Sequence, residues 1–465
     1  MSMNTGSWGA LLRPPHLAVL TVLAGGTALH AINIYLVTAM LPSVVADIGG
    51  LRYYAWSTTL FMFASVVSSA LVPRCLSRLG PRGSYRFAFV AFGIGTLVCA
   101  LAPDMAVLLV GRTVQGLGGG LLVGLSYAMI GATLPPALWT RAAGVLSAMW
   151  GVGTLVGPAL GGAFAQLGQW RTAFGVLAGC TLGLMLLLRS TMPDDRTRTA
   201  TPVPVANLAL IAAAVLLVSA TSLSHEALVN VAGVVGAIVL LGVFVHRERT
   251  RAPRVLPRKA FTSGSALIPL YGTLVVLVLA STTEIFVPFF GGHLGGLGPL
   301  AAGFLGAALA AGWTVGSMVS AGLTGRARAL VGVAPLVSAL GLTGLSLTSW
   351  SAAPAALVLV WAVLLFVTGS GVGIAWPHMT ATAMNSGDTP REQDTAAASL
   401  TTVQLVATSL GAALAGTVTN LTGVDGNAAD IANSSRWLYG VFGAIVLTGV
   451  LFAHRTVSSR TTEPV

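Results

Sequence analysis

The sequence predicts an all-helical protein embedded in a membrane, built as a bundle of about fourteen transmembrane helices. Hydrophobic residues make up 55% of the 465 residues and charged residues only 8%, with a mean hydropathy of +0.85. Water-soluble domains carry about 25% charged residues, so this chain cannot cover a water-exposed surface. Apolar segments of the roughly 20 residues needed to cross a bilayer follow one another along the whole chain.

These apolar segments fall into three groups separated by polar or basic stretches. The first six spans are predicted at 17–42, 55–72, 87–102, 106–134, 142–166 and 172–188, and an inserted pair at 205–222 and 228–245. The last six are predicted at 264–290, 299–323, 329–349, 353–376, 396–419 and 437–453. We therefore expect an N-terminal six-helix half over residues 1–190, an inserted helix pair with basic linkers over 191–262, and a C-terminal six-helix half over 263–465.

The distribution of arginines predicts how the chain is oriented in the membrane. Loops rich in positive charge stay in the cytoplasm. With the N-terminus inside, the inner loops hold most of the arginines and the outer segments hold only Arg52, Arg171 and Arg436. We therefore expect a multi-pass protein of the cell (inner) membrane with both termini in the cytoplasm.

Several other classes of function are not supported by the sequence. The net charge of +11 comes from scattered arginines without interleaved aromatic residues, so nucleic acid is not an expected partner. The three cysteines lack metal-ligand spacing, and no nucleophile–base set is present. The glycine run at 116–120 follows no predicted strand and lacks a Gly-Lys-Ser/Thr sequence, so it is not a phosphate loop. We expect neither an enzyme nor a metal site.

The stretch GVLSAMWGVGTLVGPALGG at 144–162 combines an apolar helix with an unusual number of glycines. Gly153, Gly157 and Gly161 recur every four residues and form one bare stripe, on which a neighbouring helix can lie almost backbone to backbone. Pro158 lacks an N–H group, so the helix can bend there. This combination suits a helix that packs tightly and still moves. The alternative is an ordinary packing seam of small residues.

Three motifs in the predicted spans point to a known family. They are Gly153-x-x-x-Gly157-Pro158-x-x-Gly161-Gly162 in the fifth span, Arg112-Thr-Val-Gln115-Gly116 in the fourth and Trp170-Arg171 at the start of the sixth. With the span count and the inserted pair, the chain resembles the major facilitator superfamily, specifically its fourteen-span drug/proton antiporter branch. The resemblance implies a two-lobed bundle that works by alternating access. It also implies a proton gradient as the energy source and no cofactor.

The chain departs from the family pattern at two positions. The family's loop after the second span, here the predicted cytoplasmic gate loop at 73–82, carries an acidic residue where this chain has Ser77. Neighbouring positions of that loop motif are occupied by Arg78, Gly80 and Arg82. In the first span, the branch usually has an aspartate upstream of a Leu-Pro pair, and this chain has Asn33 there.

Only two charged residues lie well within the predicted spans, Glu284 in the ninth and Arg112 in the fourth. Charges in hydrocarbon are costly and are treated as functional by default. Desolvation disfavours the charged form of a carboxyl group, so Glu284 is the predicted proton carrier. The alternative is a carboxylate paired with Thr282, Thr283 or another helix for packing. Arg112 lies in the opposite half from Glu284 and is predicted to be a fixed positive charge that lowers proton affinity in its surroundings, with a side chain that extends to the membrane interface as the alternative.

Polar and aromatic side chains within the spans are the predicted lining of a substrate cavity. They are His30, Asn33, Tyr35, Gln115, Tyr127, Trp150 and Gln404. His30 and Asn33 lie about one helical turn apart in the first span. The alternative is that these residues serve packing or lie at the membrane interface.

The resemblance at the fifth span favours proton-coupled export of small amphipathic or lipophilic compounds. We expect a monomer, with a small-molecule substrate and the lipid bilayer as its partners. Two alternatives remain open: an importer or lipid transporter of the same fold, and a membrane sensor that does not transport.

Overall fold

The computed structural model describes residues 8–458 apart from 15, 136–137, 193–204, 225, 252–253, 255, 263–264, 266, 322 and 385–389. Within these residues every regular element is a helix. The first seven helices are α1 Trp8–Leu11, α2 His16–Ile48, α3 Tyr54–Ala70, α4 Val72–Ala100, α5 Met105–Thr133, α6 Trp139–Gln166 and α7 Trp170–Thr191. They are followed by α8 Val205–Thr221, α9 Ala227–Thr250, α10 Leu267–Thr282, α11 Val287–His293, α12 Pro299–Ala321, α13 Ala327–Thr348, α14 Ala355–Met384, α15 Pro390–Leu421, α16 Ala428–Leu447 and α17 Gly449–Ser458.

Twelve helical segments of the described chain are long and apolar enough to cross a membrane. The predicted second and seventh spans correspond to α3 and α8, which have 17 residues each. At a rise of 1.5 Å per residue such a helix covers about 25 Å, less than the ~30 Å hydrocarbon core. The all-helical membrane fold is therefore confirmed, whereas the count of fourteen spans is not.

The first compact unit of the chain comprises Met1–Gly50 and Leu60–Val203. Its α4 and α5 approach each other very closely, because a Cβ atom added at Gly118 would lie 2.6 Å from Cα of Phe92. Two hydroxyl groups join neighbouring helices: Ser126 Oγ donates to Leu23 O at 2.8 Å, and Ser65 Oγ donates to Gly116 O at 3.1 Å. Small residues and interhelical hydrogen bonds are the usual means by which helices associate in lipid.

The Trp170-Arg171 pair ties together three helix ends of this unit. Asp47, near the end of α2, accepts hydrogen bonds from Arg171 Nη1 at 2.6 Å and from Trp170 Nε1 at 3.1 Å. Arg171 Nη2 also donates to Ala102 O, just beyond α4, at 3.1 Å. The motif at the start of α7 therefore has a structural role, since it holds the ends of α2 and α4 in place.

Residues 73–82 were expected to form a loop, and the structure shows that this expectation is wrong. Helix α4 begins at Val72 and continues to Ala100 with a bend at Gly80, whose φ of 68° and ψ of 175° are not helical. Glycine adopts a positive φ at little steric cost, and Pro81 suits the first turn of the helical segment that follows. The predicted gate residues Ser77, Arg78 and Arg82 therefore lie on two helical segments joined at a bend.

The second compact unit comprises Leu51–Thr59 and Pro204–Val465. Helix α10 is at its centre, where Leu270 and Leu277 are fully buried. Helices α12 and α14 pack closely, because a Cβ atom added at Gly373 would lie 2.9 Å from the backbone nitrogen of Ser317.

The inserted helices α8 and α9 belong to this second unit and carry a buried carboxylate at the end of α9. Glu248 is fully buried. Its Oε1 accepts a hydrogen bond from Asn207 Nδ2 at 2.5 Å, and its Oε2 accepts one from the backbone N–H of Leu256 at 2.8 Å. Arg247 Nε also donates to Asn207 Oδ1 at 3.2 Å. Glu248 therefore fixes the basic linker after α9 to the start of α8.

Replacing Glu248 with alanine is expected to release this linker. The substitution leaves the Asn207 amide and the Leu256 N–H without their acceptor, and each unpaired buried donor costs about 1–3 kcal/mol. We expect a lower thermal midpoint and faster trypsin cleavage after the linker arginines. Glu226→Ala is the matched control, because Glu226 is an exposed residue before α9 without a side-chain capping bond. Equal cleavage rates for both variants and the wild type would contradict this role.

Candidate functional site

Glu284 lies where the predicted ninth span changes its helical geometry. Helix α10 ends at Thr282, a 3₁₀ turn covers Thr283–Phe286, and α11 begins at Val287. Pro288 in the first turn of α11 has no N–H group to continue the hydrogen-bond pattern of α10. A short 3₁₀ stretch inside a longer helix often marks a functional hinge. The span is therefore two helices joined at the acidic residue.

The side chain of Glu284 lies beside a bare patch of helix α12. A Cβ atom added at Gly306 would lie 3.9 Å from Cγ of Glu284 and 3.7 Å from Cγ of Pro288. A methyl group at position 306 would therefore be in ordinary van der Waals contact with the acidic side chain. Glycine at this position leaves room around the carboxyl group.

The carboxyl group of Glu284 has no hydrogen-bond or ion-pair partner among the described residues. The hydroxyl groups of Thr282 and Thr283 donate instead to backbone carbonyls of their own helix, at 2.7 and 2.8 Å. The alternative role of Glu284, in which its carboxylate pairs with Thr282 or Thr283 for packing, is therefore not present in the structure. The residue is partly exposed, and no basic side chain of the described residues forms an ion pair with it.

Aromatic side chains surround the hinge at Glu284, and the sequence analysis did not identify them as part of the site. Phe286 stacks on Tyr54 with ring centroids 4.9 Å apart, and Phe289 meets Tyr54 edge to face at 5.7 Å. Phe290 contacts both Phe286 at 5.9 Å and Tyr439 at 6.1 Å. The phenylalanines directly after Glu284 were visible in the sequence. Their contacts with Tyr54 and Tyr439 were not, because these residues are distant along the chain.

Arg112 points into the first unit and is only 1% exposed. Its Nη1 donates to Gln115 Oε1 at 2.6 Å, and Gln115 Nε2 donates to Thr96 Oγ1 at 2.9 Å. The guanidinium carbon lies 4.2 Å from the ring centroid of Phe61, within the range of a cation–π contact. Arg112 is therefore held in place by α3, α4 and its own helix, and its side chain is buried among them.

A row of rings continues from Arg112 across the same unit. The ring of Phe61 lies 5.2 Å from that of His30, and the ring of His30 lies 5.7 Å from that of Trp150. The backbone at Gly119 makes room for the imidazole, since a Cβ atom there would lie 2.7 Å from His30 Nδ1. The row joins side chains of α3, α2 and α6 and brings two of the predicted cavity residues into contact.

His30 and Asn33 present polar atoms that have no partner within the described residues. His30 Nδ1 and both Asn33 amide atoms, Nδ2 and Oδ1, are buried and form no hydrogen bond. Leaving such groups unpaired in the interior costs about 1–3 kcal/mol each. The pair offers an amide donor, an amide acceptor and an imidazole nitrogen, so it can bind a neutral group that both donates and accepts hydrogen bonds.

The remaining predicted cavity residues are distributed over both units. Tyr127 in α5 is 43% exposed, and its hydroxyl lies near the side chains of Ser147 and Trp150. Tyr35 in α2 is half-buried. Gln404 in α15 is half-buried and belongs to the second unit, as Glu284 does.

The side chains of two predicted gate residues donate hydrogen bonds to backbone carbonyl groups. The Ser77 hydroxyl, at the position of the family's acid, donates to Arg74 O at 3.0 Å within its own helix. Arg82 Nε donates to Met192 O, directly after α7, at 3.0 Å, and Arg78 is exposed. Arg82 thus ties the start of the second segment of α4 to the end of α7.

The glycine stripe of α6 lies directly on α2. A Cβ atom added at Gly153 would lie 2.7 Å from Ala31 Cβ, and one at Gly157 would lie 2.5 Å from Tyr35 Cβ. Gly161 faces the backbone of Leu36 in the same way. Pro158 and Gly162 are buried within the helix that carries the stripe. The close packing expected from the four-residue spacing is present, and the role of this motif in conformational change stays a prediction.

Within the described residues, twelve helical segments long and apolar enough to cross a membrane place the chain in the class of polytopic helical membrane proteins. Residues 23–412 match the sequence profile of the Major Facilitator Superfamily. The chain belongs to the Major Facilitator Superfamily, and it is a membrane transporter and not an enzyme.

Several known proteins are similar to this chain. A Mycobacterium tuberculosis protein named "Probable multidrug-efflux transporter" is 45% identical over 464 residues, which cover 97% of each chain. Multidrug resistance protein 3 of Bacillus subtilis is 24% identical over 408 residues, 84% of this chain and 77% of its own length. The crystal structure of a D-xylose-proton symporter superposes with a TM-score of 0.65 at 15% identity and covers 97% of this chain and 99% of its own. A crystal structure of a POT family transporter gives a TM-score of 0.68 at 16% identity, with 94% and 96% covered. At these identities the two crystal structures support the fold alone.

Replacing Gly157 with valine is expected to disrupt the contact between α6 and α2. The added side chain meets the backbone and Cβ of α2, and such overpacking costs about 1–3 kcal/mol. We expect a lower thermal midpoint of the purified protein and a loss of transport. Gly151→Val is the control on the same helix, because a Cβ atom at Gly151 has no neighbour within 4 Å. The contact would be unimportant if both variants melted and transported alike.

Proposed function

We propose that this chain exports small amphipathic or lipophilic compounds in exchange for protons, by alternating access. The observation that carries the proposal is the unpaired carboxyl group of Glu284 at the junction of α10 and α11. The 45% identity to a protein named as a multidrug-efflux transporter supports export as the direction. The proton gradient supplies the energy, no cofactor takes part, and the protein acts as a monomer in the lipid bilayer.

Glu284 carries the proton in this mechanism. A carboxyl group in a low-dielectric site without a basic partner is stable in its neutral form, whereas contact with water favours its ionised form. A change at the 3₁₀ turn that exposes the group to one side of the membrane and then to the other would move one proton per cycle. The bare backbone at Gly306 leaves space for the side chain to change its position.

The first unit supplies polar contacts to the substrate. His30 and Asn33 offer unpaired hydrogen-bonding groups, and Trp150 and Tyr127 offer aromatic surface beside them. Arg112 is a fixed positive charge, because Gln115 and Phe61 hold its guanidinium group. This combination suits a lipophilic compound with a few polar groups.

The same proposal includes the fourteen-span antiporter branch and the orientation in the membrane. In this arrangement α3 and α8 cross the bilayer in addition to the twelve longer segments. The chain lies in the inner membrane of the cell, with both termini in the cytoplasm. In this orientation the arginine-rich segments face the cytoplasm.

Glu284→Gln is expected to abolish transport driven by a pH gradient while the protein still binds its substrate. Glutamine has nearly the same shape but cannot release a proton. The measurement is uptake of a panel of lipophilic cations, neutral drugs and lipids into inverted proteoliposomes with an imposed pH gradient. Glu226→Gln, at an exposed position, is the control. Gradient-dependent transport by Glu284→Gln at the wild-type rate would exclude Glu284 as the proton carrier.

Asn33→Leu is expected to separate substrate binding from stability. If Asn33 binds substrate, leucine removes both hydrogen-bonding atoms and weakens binding by roughly tenfold. The same change removes unpaired buried polar atoms, so the thermal midpoint should stay the same or rise. Thr38→Val is a suitable control, because the Thr38 hydroxyl donates to Ile34 O in its own helix at 2.9 Å. An unchanged substrate affinity in Asn33→Leu would remove this residue from the site.

A further inference from the structure

A surface groove of about 440 Å³ lies between α13 and α16 in the second unit. Neither Glu284 nor the polar residues described for the first unit belong to its lining. Its lining includes Ser346, Arg436, Trp437, Gly440, Val441 and Ala444. One end of the groove is polar and positively charged, and the other is apolar.

Arg436 provides the charge and is held in a fixed position. Its Nε donates to Ser349 O at 2.9 Å, and its own carbonyl accepts a hydrogen bond from Ser346 Oγ at 2.8 Å. The side chain is exposed, and no carboxylate oxygen of a described residue lies within 4.0 Å of it. The two terminal nitrogens of the guanidinium group therefore remain able to bind an anion.

The apolar part of the groove follows α16 away from Arg436. Gly440 forms its floor, and a Cβ atom there would lie 3.2 Å from Ser346 Oγ. Val441 and Ala444 continue the surface, and Trp437 stands at its edge with 55% of its surface exposed. From Arg436 to Ala444 the helix rises about 12 Å at 1.5 Å per residue, which is a substantial part of one leaflet. Tryptophan is enriched at the level of the lipid headgroups, so Trp437, which follows Arg436 directly in the sequence, suits a place beside a headgroup.

We propose that this groove binds one phospholipid, with its phosphodiester on Arg436 and an acyl chain along Gly440 and Ala444. Arginine matches phosphate oxygens with two parallel N–H donors. The adjoining apolar groove selects a lipid over a free phosphate, because a soluble anion gains nothing from it. Arg436 is one of the few arginines on the predicted outer side, so the lipid comes from the outer leaflet in the proposed orientation.

The test compares phospholipid retention by four forms of the full-length protein. Each form is delipidated, incubated with phosphatidylglycerol in detergent, and weighed intact by native mass spectrometry. Arg436→Gln removes the charge, and Ala444→Phe fills the apolar groove from an exposed position where folding is not at risk. Arg52→Gln is the control, because Arg52 is an exposed arginine of the same unit outside the groove, lying over the ring of Tyr53 at 5.0 Å.

We expect the wild type and Arg52→Gln each to retain one more phosphatidylglycerol molecule than Arg436→Gln and Ala444→Phe. The affinity of these last two variants for the lipid should be roughly tenfold weaker. Equal retention by all four forms would overturn the proposal. Competition by glycerol phosphate as effective as that by the whole lipid would also overturn it, because the site would then bind a simple anion. A dimer mass that disappears in Ala444→Phe would assign the groove to a contact between two copies instead. These outcomes do not depend on the transport assay.

Discussion

Hydrocarbon offers no hydrogen-bond partners, and this constraint governs the placement of polar groups in the described helices. Most hydroxyl groups satisfy it locally, as Thr282 and Thr283 do by bonding to carbonyls of their own helix. Arg112 satisfies it through Gln115 and Thr96. Because pairing is the rule, the polar groups of Glu284, His30 and Asn33, which lack a partner among the described residues, are the ones on which the proposed function is built.

Close contact between backbones is the second feature on which the structure depends. The stripe of α6 on α2 and the contact of α5 with α4 both require glycine, because a side chain would fill the space between the helices. Without a hydrophobic driving force between helices in lipid, such contacts supply much of the packing energy. Close backbone contacts therefore hold the helices of the first unit together, whereas a 3₁₀ turn at Thr283–Phe286 interrupts the predicted ninth span in the second unit.

Local sequence patterns predicted the helical segments well and their ends less well. Apolar length identified the membrane helices, since crossing a bilayer requires a minimum number of apolar residues. The sequence patterns did not predict that α3 and α8 have only 17 residues each. They also did not predict that the expected gate loop is part of helix α4. In this segment Gly80 and Pro81 bend the helix and do not end it. A glycine-proline pair can either bend or end a helix, and here the packing of the buried Leu76 and Gly80 against the unit decides that it bends. At the candidate site, the sequence identified Glu284 and Arg112 by their charge, but it could not identify Tyr54 or Tyr439 because no local pattern connects them to the hinge.

By itself, the sequence determined that this chain is a helical membrane protein, that its fifth span carries a bare packing stripe, and that its spans contain very few charges. These properties depend on composition and on spacing within one helix. Only the tertiary structure decided that the stripe contacts α2, that Arg112 turns inward onto Phe61, and that Glu284 interrupts its helix beside Gly306. Each of these depends on the close approach of segments far apart in the chain, and the energy of such contacts is not encoded in any single segment.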